Sequence, residues 1–196
     1  MSPPVETSDG RRARRERNRV AVIDAVFELL REGHVPPSVE QVAERAEVSV
    51  SSVFRYFDDL DDMHQQTVRR YFERYAPLFE VPDRADGTLD DRVAALVDAR
   101  LELYETIGPI ARMARARASA HPPMAETLHA TRQRFARQVA SHLAVDLEGR
   151  DDATDVVDLV DALTSFEAWD LLRSTHGRSR AAIRRAWLAG VTALVS

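Results

Sequence analysis

The chain has 196 residues, with hydrophobic residues at 44% and charged residues at 30%. That suffices for one domain, or a small module joined to a larger one. It has no cysteine, which excludes disulfides, thiolate metal sites and cysteine nucleophiles. The net charge of -5 rules out a protein that coats nucleic acid through bulk positive charge.

No apolar run approaches the roughly 20 residues of a membrane helix, and the polar N-terminus has no signal-peptide character. The expectation is a cytoplasmic protein without a membrane partner. Charge is uneven. Residues 11–19 hold six arginines against Glu16, whereas residues 151–170 hold seven acids and no base. All 27 basic residues are arginine, which fits the GC-rich coding of a bacterium.

Residues 1–14 lack periodicity and read as a flexible, Arg-rich arm. A helix is predicted from about Arg15 to Arg31, with Val20, Ile23, Val26, Phe27 and Leu30 on one face. Gly33 and Pro36-Pro37 end it. Ser38 then opens a second helix as a capping box with Gln41, and Val39, Val42, Ala43 and Ala46 form its apolar face. After a turn at Glu47-Val48, Ser49 caps a third helix carrying Val50, Val53, Phe54 and Phe57. A fourth is predicted over about 61–79, through Met63, Thr67, Tyr71, Phe72 and Tyr75.

Pro77, Pro82 and Gly87 mark a boundary over 76–88. Thr88 caps a fifth helix with Leu89, Val93, Leu96, Val97, Tyr104 and Ile107 on its face, and Gly108-Pro109 breaks it. A short sixth covers about 110–119, and His121-Pro122-Pro123 opens a seventh with Met124, Leu128, Phe135 and Val139. Beyond a turn at 149–151, an eighth carries Val156, Leu159, Val160, Leu163, Phe166 and Trp169. Gly177 precedes a ninth with Ile183, Trp187, Val191, Leu194 and Val195. The fold class is therefore all-α, an N-terminal three-helix module plus a C-terminal helical bundle, about nine helices in total.

Two short helices around a tight turn, with Ala43 where the second must cross closely, have the form of a helix-turn-helix. The second such helix reads base edges in the major groove. Residues 38–63, SVEQVAERAEVSVSSVFRYFDDLDDM, resemble the signature of the tetracycline-repressor (TetR) family, a T-x-x-x-I-A-x-x-A-G-V-S-x-G-T-L-Y-x-H-F-x-x-K-x-x-L run. The match covers the first quarter to third of the chain. Three positions depart from it: Glu47 replaces the glycine of the turn, Phe54 the tyrosine and Leu60 the lysine.

The resemblance implies a homodimer that binds double-stranded operator DNA as a transcriptional repressor and is released by a small effector. Its domains are then an arm over 1–14, a DNA-binding domain over 15–60 and a ligand-binding and dimerisation domain over 61–196, linked by the helix at 61–79. Arg15, Arg19, Ser38, Ser49, Ser51, Ser52, Phe54, Arg55 and Tyr56 are the expected DNA contacts. The arginine arm is expected to supply the phosphate contacts that the three departures remove.

An effector pocket is expected among the helices between 89 and 170, lined by Tyr104, Met113, Leu128, Phe135, Phe166 and Trp169, which suits a partly hydrophobic ligand. The dimer interface is expected at Leu163, Ile183, Trp187, Val191 and Leu194, a stripe that something must cover. The acidic eighth helix and the basic start of the ninth (Arg178, Arg180, Arg184, Arg185) could pair across a two-fold axis.

Two rivals remain. One is a constitutive architectural or activating DNA-binding protein. The other is a helical-bundle metal enzyme, which Glu126-x-x-His129 and Asp61-x-x-His64 would have to serve. Neither motif has the second copy that such a centre needs, so no catalytic, cofactor or metal site is expected, and the chain is not read as an enzyme.

Overall fold

The computed structural model describes residues 8–34, 36–82 and 87–196. Every regular element among them is helical: α1 (Ser8–Arg31), α2 (Val39–Arg45), α3 (Val50–Tyr56), α4 (Leu60–Arg74), α5 (Leu89–Ala118), α6 (Pro122–His142), α7 (Ala153–Leu163), α8 (Phe166–Asp170) and α9 (Arg180–Val195). A 3-10 turn spans Ala76–Phe79, and a π-helical turn over Leu171–Thr175 follows α8. The all-α expectation holds. Among the described residues no helix is long and apolar enough to cross a membrane.

The chain divides into two compact units. The first takes the chain to Arg74 together with Pro109–Met124; the second takes Tyr75–Gly108 and Ala125–Ser196. The division expected at residue 60 therefore falls later. The reason is the apolar face of α4: Met63, His64, Thr67, Val68 and Tyr71 are buried, and the Tyr71 ring lies 4.1 Å from that of Phe27 on α1. Helix α4 belongs wholly to the first unit.

Three further expectations change. The flexible arm is helical from Ser8 onward. Arginine is a good helix former, and Glu16 pairs with Arg19 one turn on at 3.2 Å. Residues 1–7 and the Arg11 side chain lie outside the described residues. The predicted break at Gly108-Pro109 is absent, and α5 continues through Pro109 to Ala118. Burial of Ile107, Ile110 and Ala111 on either side outweighs the hydrogen bond that proline cannot make. The predicted eighth helix is cut in two at Thr164-Ser165, because the Ser165 side chain accepts from the Ala168 backbone N–H and caps a new helix.

The cores differ in character. In the first unit Val22, Ile23, Val26, Leu30, Val42, Val53, Phe57 and Met63 are buried aliphatic and aromatic contacts of α1–α4. In the second, Tyr104 is the centre of an aromatic cluster. Its ring centroid lies 5.6 Å from Phe166, 6.1 Å from Trp169, 6.4 Å from Phe135 and 6.4 Å from Trp187. Its hydroxyl donates to the Thr164 carbonyl at 3.0 Å, the polar contact that a buried phenol requires.

Candidate nucleic-acid interface and ligand site

Helices α2 and α3 are each fixed by a serine. Ser38 completes the capping box: its backbone N–H donates to Gln41 Oε1 at 2.8 Å, and its hydroxyl accepts from the Gln41 backbone N–H at 3.3 Å. Arg45 then ties α2 to α1 through Glu28 and Glu32, at 3.2 and 2.7 Å. Between α2 and α3, Glu47 stands at φ +54°, the one described non-glycine residue with positive φ. The Val48 backbone N–H reaches back to the Ala43 carbonyl at 3.0 Å, so the turn is closed by backbone bonds although its residue is ill suited to it.

Ser49 caps α3, accepting from the Ser52 backbone N–H at 3.2 Å. Its hydroxyl also lies 2.9 Å from the hydroxyls of Ser51 and Ser52, and Arg55 donates to Ser52 Oγ at 3.0 Å. A run of hydroxyls and one guanidinium thus covers the solvent side of α3. Val53 and Phe57 point inward. Phe54 does not: it is 48% exposed, an aromatic ring presented to solvent beside Ser51 and Arg55 rather than a core contact. Such a ring cannot hydrogen-bond a phosphate, but it can touch a thymine methyl or a sugar.

The arginine-rich half of α1 lies against the far end of α3. Arg15 donates to the Arg55 carbonyl at 3.1 Å, and Asn18 donates to the Tyr56 hydroxyl at 3.0 Å, which holds that phenol below its ordinary pKa. Arg12, Arg14, Arg15 and Arg17 are all exposed. Arg19 is less available, because it is held by Gln66 and Glu16. Leu60, at the position of the family's lysine, is exposed and offers no charge. Nine expected contacts therefore resolve into an exposed group (Arg15, Ser51, Phe54, Arg55), positioning residues (Ser38, Ser49, Tyr56), a shared hydroxyl (Ser52) and one engaged cation (Arg19).

The expected effector residues are core. Tyr104, Met113, Phe135, Phe166 and Trp169 are buried, and Leu128 is half-buried. Four of the six (Tyr104, Phe135, Phe166, Trp169) meet in the aromatic cluster of the second unit; Met113 lies in the first. The second unit also has a cavity of about 280 Å³, lined by Glu80, Val81, Arg92, Gln138, Ser141, His142 and Val145. None of these was expected from sequence. His142 donates its Nε2–H to the Arg92 carbonyl at 2.9 Å. Arg100, behind Gln138, was also missed. It sits three residues after Val97 and four before Tyr104, a cation on the apolar stripe of α5, and that register was its readable signal.

In the expected interface stripe, Ile183, Trp187 and Val191 are buried within the chain, in the core of the second unit. Leu163 and Leu194 remain half-buried. Arg180 and Arg184 are instead paired within the chain, with Glu105 at 2.7 Å and Asp98 at 2.6 Å. Asp61, from the metal-enzyme reading, is paired with Arg117, and His64 beside it is buried.

No protein-family model matches the sequence, and no curated protein matches it. Solved structures do. A transcriptional regulator from Rhodococcus sp. Rha1 superposes with a TM-score of 0.69 at 22% identity, covering 92% of this chain and 95% of that one. A TetR-family transcriptional regulator from Streptomyces coelicolor superposes with a TM-score of 0.70 at 20% identity, covering 91% and 80%. The chain shares the fold of these regulators over nearly its whole length.

Proposed function

We propose that the chain is a TetR-family transcriptional repressor, a homodimer that binds a palindromic operator and is released by a small effector. The observation that carries this is the helix-turn-helix of α2 and α3. Its second helix presents Ser51, Phe54 and Arg55 to solvent, flanked by the exposed arginines of α1. Base edges would meet the first group and phosphates the second.

The likeness in fold to transcriptional regulators supports the same reading. Dimerisation would bring two α3 helices to successive major grooves about 34–36 Å apart. The faces left for a partner are those around Leu163 and Leu194, with Leu159 at 53% and Leu171 at 50% exposure. A complete switch from 1:99 to 99:1 would require about 5.5 kcal/mol of differential affinity between the two conformations.

The test is fluorescence anisotropy of the purified protein on DNA upstream of its own gene, titrated with salt, against an unrelated fragment. Tight, selective binding with a steep salt slope is expected. Equal, weak binding to both fragments would overturn the repressor reading. Light scattering that shows a monomer at micromolar concentration would overturn the dimer.

A further inference from the structure

Two arginines are buried in the second unit, and their surroundings differ. Arg92 grips a carboxylate with two bonds, Nε and Nη2 on Asp146 at 2.7 and 2.5 Å. Arg100 is only 1% exposed, yet among the described residues no carboxylate lies within ion-pair distance of it. Its Nη1 donates to Gln138 Oε1 at 3.0 Å and its Nη2 to the Phe135 carbonyl at 3.2 Å. The guanidinium carbon sits 3.9 Å from the centre of the Phe135 ring. The Nε–H is buried with no acceptor. Asp161 acts on Arg100 only through its field, since the cation it contacts is Arg132 at 3.7 Å.

A buried cation held by neutral groups is incompletely compensated. Phe135 occupies one face of the guanidinium, and the open donor lies on its edge. That edge is the half of the fork which takes a planar carboxylate in plane. One unpaired positive charge calls for one negative charge, hence a monoanion. Burial also pushes the proton affinity of Arg100 down, as expected of a cation lacking its counter-charge.

The route is short. Gln138, which holds Arg100, also lines the 280 Å³ cavity, together with Ser141 and His142. Gln138 is a neutral partner that brings no counter-charge: its Nε2 donates to the Phe79 carbonyl at 2.5 Å and, at 3.4 Å, to Glu80, a carboxylate already paired with Arg134. We propose that Arg100 is the receptor for the carboxylate of a small organic acid, which enters from this cavity past the Gln138 amide and pairs with the open Nε–H edge. The proposal names the ligand class of the effector unit and in that respect rests on the preceding reading.

The test uses the full-length protein and three probes, acetate, hexanoate and benzoate, each at millimolar concentration, with benzamide as the neutral counterpart of benzoate. Titration calorimetry should detect saturable binding of at least one acid, and benzoate should bind at least tenfold tighter than benzamide. The Arg100 Nε–H resonance should move with the acid and not with the amide. Arg100→Met, which keeps bulk and removes charge, should abolish the preference. Gln138→Glu supplies the missing carboxylate internally and should weaken benzoate tenfold or more, even if the Met variant fails to fold. Absence of binding by all three acids, equal affinity for benzoate and benzamide, or undiminished binding by Gln138→Glu would each overturn the proposal. Operator release is read separately by anisotropy: acid binding with no release upholds the Arg100 site and fails the effector reading alone.

Discussion

Glu47 and His64 are each in an environment that suits another residue better. At φ +54°, Glu47 bears the crowding of Cβ against the following carbonyl. Glu47→Gly should raise stability by up to about 1 kcal/mol, the greater freedom of unfolded glycine offsetting part of the relief. It also removes an acid from the turn beside α3, so affinity for any DNA should rise with it. Urea denaturation and anisotropy check the two effects, and lower stability would contradict the strain argument.

His64 is buried with neither ring nitrogen hydrogen-bonded among the described residues, and desolvation lowers its pKa below 6.5. The unfolded chain therefore binds this proton more readily than the folded one. The stability associated with neutral His64 is complete above about pH 6.5 and is lost as pH falls below that value. His64→Leu should flatten this part of the stability profile between pH 7 and about 5. Parallel profiles for the two proteins would refute the assignment.

Among the elements, α7 and α9 pack together at Gly190, where an added Cβ would stand 2.8 Å from Leu163 Cδ2. Gly190→Ala should be nearly neutral, because the gain in helix propensity offsets the shift forced on Leu163. Gly190→Val should cost about 1–3 kcal/mol by forcing the helices apart, measurable as a lower denaturation midpoint. Local chemistry was the most legible part of the chain. The box at Ser38 and the caps at Thr88 and Ser49 involve residues three apart, and the structure places them as the sequence implies. Ser165 could have been read in the same way.

Where distant residues decide, the sequence was silent. The continuation of α5 through Pro109 depends on burial of its neighbours. The stripe on α9 was legible as apolar, but what covers it depends on α7 and on α5, whose Asp98 lies 86 positions from Arg184. At the candidate interface, Ser51 and Arg55 are exposed on α3, and the exposure of Phe54 follows from the rotation of that helix and not from its hydrophobicity. Helix formation at 8–14 carries no apolar period, so the helix propensity of arginine was its one readable signal.

At the scale of the whole molecule, DNA affinity should follow the arginine face of α1. Replacing Arg12, Arg15 and Arg17 by glutamine should lower the salt slope by about 0.9 for each phosphate that is no longer neutralised, and weaken specific and unrelated DNA alike. An unchanged slope would mean that these arginines are merely solvated. The two units also differ in where their aromatic rings gather, because the cluster around Tyr104 lies wholly in the second.

That asymmetry has an optical consequence. The chain has two tryptophans, Trp169 and Trp187, and both are buried in the aromatic cluster of the second unit. Indole emission therefore watches one unit alone, while far-ultraviolet ellipticity sums the helices of both. A denaturation followed by both signals at once will separate the melting of the DNA-facing helices from that of the Arg100 core without any label, and a carboxylate that settles beside Arg100 will change the light from one half of the molecule only.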